Sequence, residues 1–95
     1  MSDDLDADWE QEFVETGAAL EHERWARWQA YVFSRCLRNP DGSMTMSRED
    51  VERWRKQIET PYGQLSETEK ESDRKESRSY LPLVQAAISR VNRKA

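Results

Sequence analysis

The chain has one cysteine, one histidine, three glycines and three prolines in 95 residues, and no long apolar run. The lone Cys36 excludes an intramolecular disulfide and fits a reducing compartment. It falls on a predicted apolar helix face, where a buried inert thiol is expected rather than a reactive one. Three glycines leave no loop to cradle phosphates. No nucleophile elbow, P-loop, HExxH helix, Cys pair or dinucleotide fingerprint occurs. A metal site built on His22 would need carboxylates at a spacing the sequence does not supply, so no metal or other cofactor is expected. Carboxylates are plentiful, but nothing marks a cleft that would shift their pKa values, and a non-enzymatic protein is expected. No segment approaches the length of a membrane span, and the first residues are acidic where a secretory leader would be basic. A cytoplasmic protein without membrane contact follows as the expectation.

Apolar residues are scarce as well. Leu, Ile, Val and Phe together number 15 of 95, under the roughly 20% at which disorder is suspected. Four tryptophans and a net charge of only −4 favour folding instead. A chain this size buries only around two thirds of its unfolded surface, so the core must be thin, and an oligomer could cover what one copy exposes. Charge is also uneven. Residues 1–23 hold nine acids and no Lys or Arg, which leaves ten acids and all fifteen bases for residues 24–95, or −9 against +5. Residues 1–16 are read as an acidic, partly disordered arm and residues 17–95 as a single domain. The arm could solubilise the chain, fold back on its basic body, or steer it to a basic partner.

Periodicity places the helices. Residues 1–8 look disordered; Asp8 to Thr16 can form a short helix with Trp9, Phe13 and Leu5 on one edge, ended or bent by Gly17. Ala18 to Arg38 is the strongest helix, with Trp25, Trp28, Val32 and Cys36 on one face and Leu20, Tyr31 and Phe33 widening it. Asn39-Pro40-Asp41-Gly42 is a stop and turn. Ser47 and Asp50 resemble a capping box ahead of a helix from about Arg48 to Glu59, with Val51, Trp54 and Ile58 as its stripe. Thr60 before Pro61 ends it. A last helix carries Leu83, Val84, Ala87, Ile88 and Val91, with Pro82 in its first turn. No strand pattern competes, and the expected fold is all-α, a small bundle of four to five short helices.

One predicted helix has no apolar face. From Ser66 to Ser79 there is no Val, Ile, Leu, Met, Phe, Trp, Ala or Cys, yet Ser66 and Glu69 form a capping box, and Glu67 and Glu71 precede Lys70, Arg74 and Lys75 at spacings that pair opposite charges. Such a helix is a bridge through solvent, a marginal helix, or a scaffold whose charges meet something specific. Tyr62 and Leu65 are the apolar groups available to pin its start. On the first long helix Arg24, Trp28, Tyr31 and Arg35 fall at offsets 0, 4, 7 and 11, one strip of alternating cations and rings. That strip suits a ligand with a flat ring and a phosphate. The plainer alternative is boundary residues whose stems cover aromatic edges.

Pro61-Tyr62, Leu65, Glu67, Glu69-Lys70, Glu71 and Asp73-Arg74 resemble the PYxxLxExEKExDR signature of the ryanodine-receptor repeat (RyR) domain, and His22-Glu23-Arg24-Trp25 resembles that domain's early His-Trp helix. The likeness covers roughly residues 20–85; the Gly-Trp and Tyr-Gly pair usual after the first helix is missing, and residues 39–60 take a different form. The resemblance implies a small helical domain, repeated in the calcium channel and found alone in bacterial and phage proteins, where a nucleotide-ligand role has been suggested. It implies roles for Tyr62, Lys70, Asp73 and Arg74, with His22, Trp25 and Leu65 in support. Asp73 could fix Arg74 or reach His22 or Trp25.

The leading expectation is a binding module for a small anionic ligand, nucleotide-like, through Arg24, Trp28, Tyr31, Arg35, Tyr62, Lys70, Asp73 and Arg74. The alternatives are a module or inhibitor that binds a protein partner through exposed aromatics and the acidic arm, and a structural homo-oligomer without ligand. Sequence-specific nucleic-acid binding is not expected at a pI near 5.0.

Overall fold

A computed structural model describes residues 2–94, with side chains for residues 8–93. The disorder expected for residues 1–8 gives way to helix from Ser2 onward, while the place of Leu5 on the first apolar edge lies outside the described side chains. The chain is mostly helical: α1 (Ser2–Arg35), β1 (Leu37–Arg38), β2 (Met44–Thr45), α2 (Arg48–Glu59), a 3-10 turn at Tyr62–Gln64, α3 (Glu67–Arg78) and α4 (Leu81–Lys94). It divides into two compact units, Met1–Arg24 with Asp73–Ala95, and Trp25–Ser72.

The four to five short helices need correction at their start, because the two expected before residue 38 are one helix of 34 residues. Gly17 does not break it. A glycine inside a helix costs about 1 kcal/mol relative to alanine, and Ala, Glu, Leu, Gln and Arg on both sides propagate the helix across it. A Cβ at Gly17 would lie 3.7 Å from Leu83 Cδ2, an ordinary van der Waals distance. Gly17→Ala is therefore expected to stabilise the first unit by about 0.5–1 kcal/mol, seen as a higher Tm with an unchanged far-UV CD shape.

α1 stops at Arg35, three residues short of the expected end, because the chain turns into a hairpin that the sequence reading missed. Asn39 N–H donates to Ser43 O (2.8 Å) and Gly42 N–H to Asn39 O (3.0 Å), which brings Leu37 opposite Thr45 and Arg38 opposite Met44. Pro40 pre-sets the turn and Gly42 takes φ of +89°, the combination that three-residue hairpin loops use. Asp41 accepts from Ser43 N–H (3.0 Å) and Ser43 Oγ (2.6 Å), and these bonds hold its carboxyl below the usual range. Strands this short are invisible to a period-two search.

The remaining helices follow their local signals. Ser47 Oγ accepts from Asp50 N–H at 3.1 Å, and Thr60, extended at ψ 119° ahead of Pro61, closes α2. At α3 the capping box is complete: Glu69 N–H donates to Ser66 Oγ (3.2 Å), while Ser66 N–H and Oγ donate to Glu69 Oε1 (3.2 and 2.9 Å). Glu69 is thereby held below the ordinary glutamate range, first by the Ser66 hydroxyl and then by its backbone, with Gln57 and Lys56 of α2 adding to the effect.

Among the described residues no apolar side chain is buried, and Asp50, 1% exposed, is the one buried residue. Trp25, assigned by periodicity to the core line, is 54% exposed, and Phe33 and Ile58 are 59% and 83% exposed. Val32 and Cys36 are half-buried rather than buried. Periodicity identified the apolar residues but overstated how many of them find cover.

Candidate functional site

In the second unit, the last turns of α1 and the first turns of α2 meet on Asp50. Arg35 donates Nε to Asp50 Oδ2 (3.0 Å) and Nη2 to Oδ1 (2.8 Å), the two-pronged geometry that suits guanidinium and carboxylate. Arg53, one turn on from Asp50, adds Nη2 at 3.0 Å from the same Oδ1. The Arg35 hydrogen bonds first, then the charges of Arg35 and Arg53, hold the Asp50 carboxyl below the usual aspartate range, although burial opposes them. The same carboxylate raises Arg35. Two guanidiniums against one carboxylate leave one net positive charge (2 − 1), and Arg35 and Arg53 keep 43% and 45% of their side chains exposed.

Aromatic rings lie beside this ion cluster. Trp28 sits 5.7 Å from Tyr31, tilted by 37°, and 5.4 Å from Trp54, at 62°. Tyr31 and Trp54 are 6.5 Å apart at 60°. These are the tilted and edge-on arrangements that aromatic quadrupoles favour. Arg53 joins the two groups: its guanidinium lies 5.7 Å from the Trp54 ring centre, and Nη2 is 3.4 Å from the Tyr31 hydroxyl. Trp28 and Tyr31 remain 42% and 43% exposed. Rings held in place and still partly in water can stack a planar group, and the neighbouring guanidiniums can meet an anion.

The strip of Arg24, Trp28, Tyr31 and Arg35 is therefore brought together only in part. Trp28, Tyr31 and Arg35 join in the second unit with Trp54, Arg53 and Asp50, which the sequence reading did not count as site residues. Arg53 had no periodic signal, and Asp50 was noted only as a cap. The available clue was Ser47-x-x-Asp50-x-x-Arg53, a cap residue followed at helical spacing by a cation. Arg24 belongs to the first unit and is engaged by Glu21, with Nε at 3.1 Å and Nη2 at 2.6 Å.

The signature residues are also divided. In the second unit, the Lys70 ammonium lies 6.0 Å from the Tyr62 ring centre and 3.7 Å from Glu67, with 19% of its side chain exposed. Tyr62, expected to pin the start of α3, is 49% exposed, and Leu65 is half-buried. Asp73 and Arg74 belong to the first unit, exposed and half-buried respectively; His22, in that unit as well, is exposed.

The first unit has its own polar network and an apolar cleft. Tyr80 donates its hydroxyl to Glu21; that bond first, and Arg24 second, lower the Glu21 carboxyl, and the same bond raises the Tyr80 phenol. Arg90 pairs with Glu12. A cleft of about 220 Å³ lies among Trp9, Phe13, Thr16, Leu83, Ala87 and Arg90. Among the described residues no group of three or more His, Cys, Asp or Glu is placed to hold a metal ion, and no helix is long and apolar enough to cross a membrane.

Compared with known proteins, the chain matches no family model, no curated protein and no solved structure.

Proposed function

We propose that the chain is a non-enzymatic binding module for a small anionic ligand with a planar ring, of the nucleotide class, and that the second unit carries the site. The observation behind this reading is the cluster of Trp28, Tyr31 and Trp54 ordered around Arg53, with two half-exposed guanidiniums on one buried carboxylate. A base would stack on Trp28 and Tyr31, and a phosphate would meet the outer edges of Arg35 and Arg53. The RyR-like run from Pro61 to Arg74 supports the same class, and Tyr62 with Lys70 offers a second pairing of ring and cation in this unit. A panel of mono-, di- and cyclic nucleotides, followed by thermal shift and calorimetry, is expected to yield at least one ligand with a Kd near or below about 10 μM. A panel without any shift would remove this reading.

A second reading, a module that binds a protein surface, is favoured by a different observation: no apolar side chain is buried among the described residues, while large apolar groups are exposed on every helix except α3. Exposed Trp, Tyr and Arg are the residue types that dominate protein interfaces.

A further inference from the structure

We propose that the cleft of the first unit binds a small organic cation, a single ring that carries a protonated amine on a short arm. The cleft belongs wholly to that unit, between Trp9, Phe13 and Thr16 of α1 and Leu83 and Ala87 of α4. Its walls are mainly apolar, and its volume is about 220 Å³. A cavity of about 150 Å³ with aliphatic and aromatic walls takes up benzene, so this one has room for a ring and a short arm but for no larger skeleton. Trp9 and Phe13 are half-buried and supply ring surface against which the ligand's own ring can pack.

Charge at the edge of the cleft sets the sign of the ligand. Trp9, Phe13 and Thr16 recur at spacings of four and three, and Asp8, Glu12 and Glu15 repeat that spacing one residue earlier, on the next row round α1. Glu12 lines the cleft itself, as does Arg90. Asp8 and Glu15 line an adjoining hollow that shares Glu12 and Arg90 with it. Arg90 is paired with Glu12, whereas Asp8 and Glu15 are exposed and have no cationic partner among the described residues. Three carboxylates against one guanidinium leave a net charge of −2 (1 − 3) at the mouth. An anion drawn to Arg90 would have to displace Glu12 and stand beside two further carboxylates. An ammonium meets those two carboxylates directly, with the Trp9 ring beside them. The ring of the ligand would enter between Phe13 and Leu83, and its amine would stay at the mouth.

This site is independent of the Trp28 and Arg53 cluster, which belongs to the other unit, and its test needs no nucleotide. In an NMR titration of the full chain at low salt, 2-phenylethylammonium should shift the Trp9 indole resonance with a Kd of about 0.1–1 mM. The neutral 2-phenylethanol and the anionic 3-phenylpropionate should each bind at least about fivefold more weakly. Asp8→Asn with Glu15→Gln, two exposed changes, should bring the ammonium down to the level of the alcohol. Ala87→Leu, which fills the cleft, should abolish binding of all three; the exposed pair of changes and the ligand series keep the idea open to refutation even if that variant fails to fold. Binding of 3-phenylpropionate as tight as that of the ammonium would give the cleft to anions on Arg90 and sink the proposal. So would ammonium binding that persists in a folded Ala87→Leu variant, or no shift at Trp9 up to about 10 mM.

Discussion

Asp50→Ala should lower Tm by more than about 8 °C, an effect above that of a typical single surface change in a domain of this size. Asp50 is the one buried residue described, and the substitution leaves Arg35 and Arg53 facing each other without the carboxylate between them. The variant loses the two-pronged bond that ties α1 to α2 and leaves two like charges side by side, a cost that water around the half-exposed guanidiniums reduces. Asp50→Asn, which keeps the shape and loses the charge, should fall between the variant and the wild type. The pH profile separates this from a packing effect. The folded Asp50 carboxyl lies below its ordinary value of about 3.9, so its contribution is fully present above that value and is lost as pH falls through the lower folded one. The wild type and Asp50→Ala should therefore differ by a constant amount between about pH 5 and 8, and should converge only on the acid side of about pH 4. Thermal melts monitored by circular dichroism across that range give both quantities. A difference that changes between pH 6 and 8 would rule out Asp50 as the source.

Trp28→Ala combined with Arg53→Ala should weaken binding of the responding nucleotide by about a hundredfold or more. Loss of one stacked base costs on the order of 1–3 kcal/mol, and loss of a charge-assisted phosphate contact adds on the order of 1.5–3 kcal/mol. Arg35 still holds Asp50 in this variant, so α2 should keep its place and the far-UV spectrum should be unchanged. Lys70→Ala serves as the comparison. Its ammonium lies against Tyr62 and Glu67, and if the anion meets Arg35 and Arg53 the change should be several-fold smaller. Equal losses from the two variants in titration calorimetry would move the site to the start of α3.

What could be read from the sequence was whatever is encoded within a few residues. The Ser66 and Glu69 capping box, the turn at Asn39 to Gly42, and the stop at Thr60-Pro61 all rest on neighbours in the chain, and each stands where the local chemistry puts it. The bonds between residues far apart in the chain, in the candidate site and in the first unit alike, have no such trace. Arg35 and Asp50 are 15 residues apart and Glu21 and Tyr80 are 59 apart, and nothing in a pattern of hydrophobic spacing pairs one carboxylate among nineteen with one arginine. Gly17 misled for the opposite reason: a strong local preference was outweighed by the helix formers around it. Ile58 and Phe33 sat in the right register for a core and were left exposed, since periodicity marks an apolar face whether or not anything covers it.

That no apolar side chain is buried among the described residues also has a calorimetric meaning. The heat-capacity increase on unfolding comes from apolar surface newly given to water, and surface that is already wet in the folded chain cannot be wetted again. A lone copy should therefore have a shallow stability curve, with little tendency to lose structure on cooling. A larger heat-capacity change would accompany any event that takes the exposed apolar groups out of water.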